Sequence, residues 1–331
     1  NQPIKYVRPA AGMYLHDIAA QTIGNVNQNQ NNFVTLYAGI VSVGGNIEVH
    51  NSRFDDMLLT QPGGSGGVYA SAGIAVASGA SNQDDGSVVV RPINNQDWIT
   101  NPTINNCRTG IQVVGSSLTN TNNVFMQGVR YGVRSQVNTN TIDIQQSRIN
   151  ATQIGIELKS NAASTSINVI DNDIIVTNNA NGACISVTEP TPSTSAITIR
   201  NNRLICRQAF WGVRLDGAGN VTVRDNTISQ SNYGLNNAIS RNFTGISLIN
   251  SQNNSIINDS ITGSYLAGTT GNTSNLGINC QDSPNNYFGC NRTHRTSVGM
   301  YVSGACNTAE IESNEFNQHR WGLFLTATAT I

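Results

Sequence analysis

Residues 202–228 carry the reading that decides the fold: Asn202-Arg203-Leu204, then Gly212-Val213-Arg214-Leu215, then Val221-Thr222-Val223, and again Asn226-Thr227-Ile228. Each phrase is three or four residues long and alternates apolar with polar side chains. A period of two means a strand with one face in and one face out. The phrases are separated by turn residues, and the first one returns about two dozen positions later. Three short strands and then a restart describe one coil of a solenoid.

The same phrases recur along the chain. The glycine phrase reads Gly12-Met13-Tyr14-Leu15, Gly73-Ile74-Ala75-Val76, Gly110-Ile111-Gln112-Val113 and Gly155-Ile156-Glu157-Leu158, and returns through Gly322-Leu323-Phe324-Leu325. Cys184-Ile185-Ser186-Val187 holds the same place with Cys for Gly. Intervals cluster at about 22–23 residues and lengthen to about 28–37 where loops are inserted. A helical repeat would need an i, i+3, i+4 pattern, which is missing. The expected fold is all-β: a right-handed parallel β-helix of about twelve coils with three short strands per coil. A coil cannot bury its own apolar face, so neighbours must stack. At about 4.8 Å per coil, twelve coils make a rod of roughly 55–60 Å. Residues 1–331 are expected to form a single domain. Region 55–110 is read as irregular coils with a Gly/Ser-rich insertion at Gln61-Pro62-Gly63-Gly64-Ser65-Gly66-Gly67. Neither end shows the polar cap that solenoids need, so the chain is expected to be a fragment of a longer protein.

Composition narrows the function. Only 11% of the 331 residues are charged, the net charge is -1, and polarity comes from residues such as the 47 Asn and 31 Gly. No basic patch suits nucleic acid. No apolar run is long enough for a membrane span. Asn, Gly and Thr are poor helix formers.

The coils align into columns. Asn123, Ser147, Asn172, Asn202, Asn226, Asp259, Asn291 and Asn314 fall into one, read as a structural turn ladder. Asn accepts the left-handed conformation at tight turns, and stacked Asn side chains bond up a ladder. The glycine column is read as admitting positive φ at the next corner. The residue after the Asn column should point outward, giving Arg148, Asp173, Arg203, Thr227, Ser260, Arg292 and Glu315. Five of the sixteen Arg fall between 200 and 224. Guanidinium forks suit the carboxylates of acidic sugars, which makes Arg200, Arg203 and Arg224 the candidate catalytic residues of a polysaccharide lyase. Asp171 and Asp173 are candidate calcium ligands, because calcium takes carboxylate oxygens; no other cofactor is expected. The preferred reading of this column is an alternating-charge ladder that keeps like charges apart. Tyr131, Trp211, Tyr233 and Trp321, near or beside the column Gly, are candidates for stacking on sugar rings, against a role as corner fillers. Six Cys form no C-x-x-C motif. Cys290 with Cys280 or Cys306 is the easiest pairing by separation, Cys280–Cys290 being the candidate disulfide, and a Cys184–Cys206 pairing is a further option. Cys280 also sits at an inward aliphatic position, where buried free Cys is common.

One segment carries a resemblance. Asn286-Tyr287-Phe288-Gly289-Cys290-Asn291-Arg292, Val298-Gly299-Met300-Tyr301-Val302, Cys306-Asn307 and Asn314-Glu315-Phe316 through Leu323 resemble large secreted proteins of Bacteroidota. Those carry right-handed parallel β-helix repeats and commonly leave by the type IX secretion system. Outside about 280–325 the likeness is the generic repeat of pectate-lyase-like proteins. The resemblance implies a secreted or cell-surface location and a longer parent chain. Asp259-Ser260-Ile261 also resembles the short O-glycosylation signal of that phylum. The functional expectation is a non-catalytic surface rod: a stalk, adhesin or fibre segment. A lyase acting on acidic glycans and a glycan-binding module are the alternatives. Polysaccharides, cell-surface partners and self-association are the expected kinds of contact.

Overall fold

The computed structural model describes residues 11–16, 20–24, 31–36, 38–57, 72–77, 87–90, 103–115, 117–137, 141–159, 166–177, 181–189, 196–207, 209–231, 242–264 and 275–326. Every strand pairing among them is parallel, and each strand pairs with its counterpart one coil away, as Ala183–Thr188 does with Trp211–Asp216. The chain is an all-β, right-handed parallel β-helix, the hand that parallel crossover connections adopt. Among the described residues no helix is long and apolar enough to cross a membrane.

Three ladders run the length of the coil. The glycine ladder extends from Ala11–His16 to Trp321–Leu325 and the asparagine ladder from Asn31–Val34 to Glu315–Asn317. Phe125–Gln136 and Arg148–Lys159 run unbroken from one ladder into the other, so the two make one 21-stranded sheet. The third ladder is an 11-stranded sheet from Gln21–Ile23 to Glu310–Glu312. Inside the region expected to be irregular, Ala72–Ala77 stands in register with the coils on either side, whereas Ser87–Val90 is in register with Asn46–Val49 but pairs with Ser117–Asn122 through a register shift. The Gly/Ser-rich insertion at 61–67 lies outside the described residues.

The core is a set of apolar columns. Ile111, Val133, Ile156, Ile185, Val213, Ile246, Ile278 and Met300 stack in register and are fully buried. Each such side chain contributes about 1.5–3 kcal/mol over leaving it exposed. The column glycines keep the neighbouring coil close, and positive φ occurs elsewhere. A Cβ on Gly132 would sit 2.5 Å from Gly155 O and closer still to Ile149 Cγ2. The Cγ2 atoms of Ile174, Ile228 and Ile261 face Gly155, Gly212 and Gly245 in the same way. Cys184 breaks the glycine rule where its facing residue, Leu204, carries no branch at Cβ.

The Asn column is real, with two corrections. Asn172 N and Nδ2 donate to Asn202 Oδ1 at 2.9 and 3.0 Å, and Asn202 N and Nδ2 donate to Asn226 Oδ1 at the same distances. Asn291 repeats this toward Asn314. First, Asn123 is not in the column. Val124 holds that place, its N–H facing Ser147 Oγ, and Phe125 pairs with Arg148. Second, the left-handed seat belongs to the residue before the column. Gln146, Asp171, Asn201, Asp225, Asn258, Cys290 and Ser313 take positive φ, which frees the column side chain to turn inward. Sequence reading missed a further ladder at another corner, where Asn254 N and Nδ2 donate to Asn286 Oδ1.

Candidate functional site

The arginine cluster lies where the third ladder turns into the asparagine ladder. Arg203 follows the turn and stands in register between Asp173 and Thr227. Its Nη2 donates to Asp173 Oδ2 at 2.5 Å, and Arg148 Nε lies 3.8 Å from the same oxygen. The outward column therefore alternates in sign, Arg148, Asp173, Arg203, with one carboxylate shared by two guanidiniums. Asp171 is exposed in the preceding turn. A calcium ion at Asp173 would compete with both arginines. Arg200 stands apart from that column: it ends the third ladder in register with Arg224, so two like charges face each other about one coil spacing apart. Arg224 Nε is 3.9 Å from Asp225 Oδ2, which accepts from Asn258 at its other oxygen, 2.6 Å away. A guanidinium stays protonated in proteins, so these side chains supply charge and hydrogen bonds and are poor bases.

The outward side of the glycine ladder holds a second charged set that sequence reading missed. Glu157 is only 4% exposed although it points out of the coil. Arg134 Nε, one coil before it, lies 2.5 Å from its Oε2, and Lys159 Nζ lies 2.7 Å from Oε1. Two coils on, Arg214 Nη2 donates to Asp216 Oδ2 at 2.6 Å. Ser186 and Thr188 fill the coil between them, in register with Glu157 and Lys159 on one side and Arg214 and Asp216 on the other. Reading the variable residue of the glycine phrase up its own column, and the position two further on, finds this set.

Three of the aromatic candidates sit on this same ladder, each under a guanidinium. Tyr131 is 9% exposed, with Arg134 and Arg130 at 4.8 and 5.5 Å from its ring centre. Trp211 is half-buried beneath Arg214 at 4.6 Å, and Trp321 half-buried beneath Arg320 at 4.2 Å. A sugar stacking on these faces would first have to displace the arginine. Tyr233 lies outside the described residues.

The cysteines depart from the expected Cys280–Cys290 disulfide. Cys290 occupies a left-handed turn seat and is exposed, whereas Cys280 is buried. The residue that meets Cys280 is Cys306, with the two sulfurs 3.3 Å apart. Cys184 and Cys206 form a second contact at 3.6 Å. Burial raises the thiol of Cys107 to about 12 and pushes those of Cys184 and Cys280 upward as well.

One column member is chemically odd. Asp259 replaces Asn, is almost fully buried, and accepts from Asn226 N and Nδ2 at Oδ1, both at 2.8 Å. Its Oδ2 is buried with no partner. Burial, with a smaller contribution from the nearby Asp225 charge, lifts the carboxyl to about 7 against two opposing hydrogen bonds from Asn226.

A family model described as "Periplasmic copper-binding protein (NosD)" matches residues 191–323. Among solved structures, the periplasmic alginate epimerase AlgG is similar at 11% identity and a TM-score of 0.48, over 97% of this chain and 79% of that one. A double mutant of the same epimerase is similar at 9% identity and a TM-score of 0.49, with the same coverage. No curated protein sequence matches the chain.

Proposed function

We propose that this protein is a non-catalytic, extracytoplasmic β-helical rod: a stalk, adhesin or fibre segment. The observation that carries the reading is the pairing of the outer charges with one another. Arg148 and Arg203 both approach Asp173 on one face, and Arg134 and Lys159 both approach Glu157 on another. Groups held in such pairs keep stacked coils from repelling. The family description supports the location, since it names a periplasmic protein. A source in Bacteroidota and export by the type IX route belong to the same proposal, resting on the sequence resemblance. Copper, which that description also names, does not fit. Among the described residues no three His, Cys, Asp or Glu side chains gather into a metal-binding group, and raised, buried thiols are far from the thiolate that binds metal. Electron microscopy of the purified chain should show extended particles; compact globules would sink the reading.

The facing pair Arg200 and Arg224 favours a second reading, contact with an acidic glycan. In its enzymatic form Arg200, Arg203 or Arg224 would serve a lyase, with calcium near Asp171 and Asp173. Acidic polysaccharides supplied with and without calcium would then yield the ultraviolet absorbance of unsaturated uronate. In its binding form the Arg200→Ala and Arg224→Ala variants lose retention on an acidic glycan array while neutral glycans are unaffected.

A further inference from the structure

We propose that Cys280 and Cys306 form a disulfide that staples two adjacent coils, set during folding in an oxidising compartment. Their sulfurs are 3.3 Å apart, roughly 1.3 Å beyond a disulfide bond length. Cys280 lies in the strand Asn275–Gln281 of one coil. Cys306 lies in the turn that follows the strand Val298–Ser303 of the next. A residue in a turn can shift to close the remaining gap. Cys184 and Cys206, at 3.6 Å, both belong to ladder strands, Cys184 within one and Cys206 at the end of another, where it pairs with Val176 and Gln230 of the neighbouring coils, so the staple is assigned to the first pair. The pair is closed off from solvent: Cys280 and Cys306 are fully buried, as are Met300 and Val302, the latter in register with Cys280.

The chemistry needs a disulfide-containing oxidant such as oxidised glutathione. One cysteine, as thiolate, attacks the oxidant's S–S bond and expels one thiol. The second then attacks the mixed disulfide and expels the other. The Sγ–Sγ bond forms, the oxidant's S–S bond breaks, and both thiol protons leave on the two reduced product thiols. The attacking species is the thiolate, and burial raises the Cys280 thiol, so exchange is slow once the coils have closed. The bond must therefore form before stacking is complete, and once formed it is shielded from reductants by the same burial.

The setting of this staple rests on the extracytoplasmic reading, and two preparations separate the two claims. In the first, the full chain is unfolded, reduced and refolded in a glutathione redox buffer. It is then denatured in acid, alkylated with N-ethylmaleimide and mapped without reduction. A linked peptide pair containing Cys280 and Cys306, two hydrogens lighter than the free peptides, is expected. Cys290 should be alkylated in the folded protein before any denaturant is added. Cys306→Ala should abolish the linked pair, and Cys290→Ala should leave it unchanged. Recovery of both residues fully alkylated after oxidative refolding overturns the proposal, as does linkage of either to Cys290. The second preparation is protein isolated from its native source. If the link forms on refolding but the native protein carries free Cys280 and Cys306, the extracytoplasmic location fails while the site's competence to form the bond stands.

Discussion

Replacing Asp259 with Asn should stabilise the protein, and should do so more strongly as the pH rises. In this column each Asn donates through Nδ2 to a carbonyl three residues before the previous column member. Asn202 reaches Val169 O, Asn226 reaches Ile199 O and Asn291 reaches Ile256 O. The matching acceptor for Asp259 is the carbonyl of Val223. A protonated Oδ2 can donate to it, whereas an ionised Oδ2 places a buried charge beside a carbonyl oxygen. The folded-state value is raised from 3.8 to about 7. Between those values the native state holds a proton that the unfolded chain has released, so stability falls as pH rises. At about 1.4 kcal/mol per unit, the loss is about 1.5 kcal/mol by pH 5 and about 4 kcal/mol by pH 8. An amide at this position has no such term. Urea unfolding followed by tryptophan fluorescence, at pH 5, 6, 7 and 8, reads the difference between the two proteins, in which every other titrating group cancels. Asp259→Asn should gain about 2.5 kcal/mol on wild type between pH 5 and pH 8. A pH-independent difference would refute the protonated-ladder argument.

Three further outcomes follow from the packing. Leu204→Ile restores a β-branch against Cys184 and should cost about 1–3 kcal/mol as overpacking; adding Cys184→Gly should recover most of it, and a double-mutant cycle of unfolding free energies measures the coupling. Asn202→Ala removes the acceptor of Asn172 N–H, one of the two acceptors of Asn172 Nδ2 (Ile144 O remains), and the side-chain donor to Val169 O, at about 1–3 kcal/mol for each buried group left unpaired. It should therefore lower the urea midpoint far more than the adjacent Arg203→Ala. That substitution removes an ion pair whose arginine is 55% exposed and should cost under about 1 kcal/mol, falling toward nothing in high salt.

The solenoid was legible because its two demands are local. An aliphatic residue must return at each inward strand position, and nothing larger than hydrogen fits where Gly132 meets Gly155. The register of single residues was less legible. Asn122-Asn123-Val124 offers two Asn beside the column, and only pairing shows that Val124 occupies it. Composition marks Asn as a turn former, but it does not say which of two neighbours takes positive φ and which turns inward. Residue Asp171 took the first role and Asn172 the second. The thiols were misjudged because Cys290 is the nearer residue in sequence, while stacking brings the turn of the next coil, with Cys306, over Cys280. Glu157 escaped notice because the glycine phrase was read for its aliphatic residues. Its outward column, Arg134, Glu157, Ser186, Arg214, becomes visible once the strands are laid in register.

The columns of the coil exist only because successive coils stand in register. Asp143, Asn168, Thr198, Thr222, Ser255, Tyr287 and Glu310 form one outward row of the third ladder. Spin labels on Asp143→Cys and Glu310→Cys, in a Cys290→Ser background, would be separated by six coil spacings. Pulsed dipolar spectroscopy should give a single narrow distance near about 29 Å. A broad distribution, or a mean displaced by two or more coil spacings, would contradict the stacked-coil account.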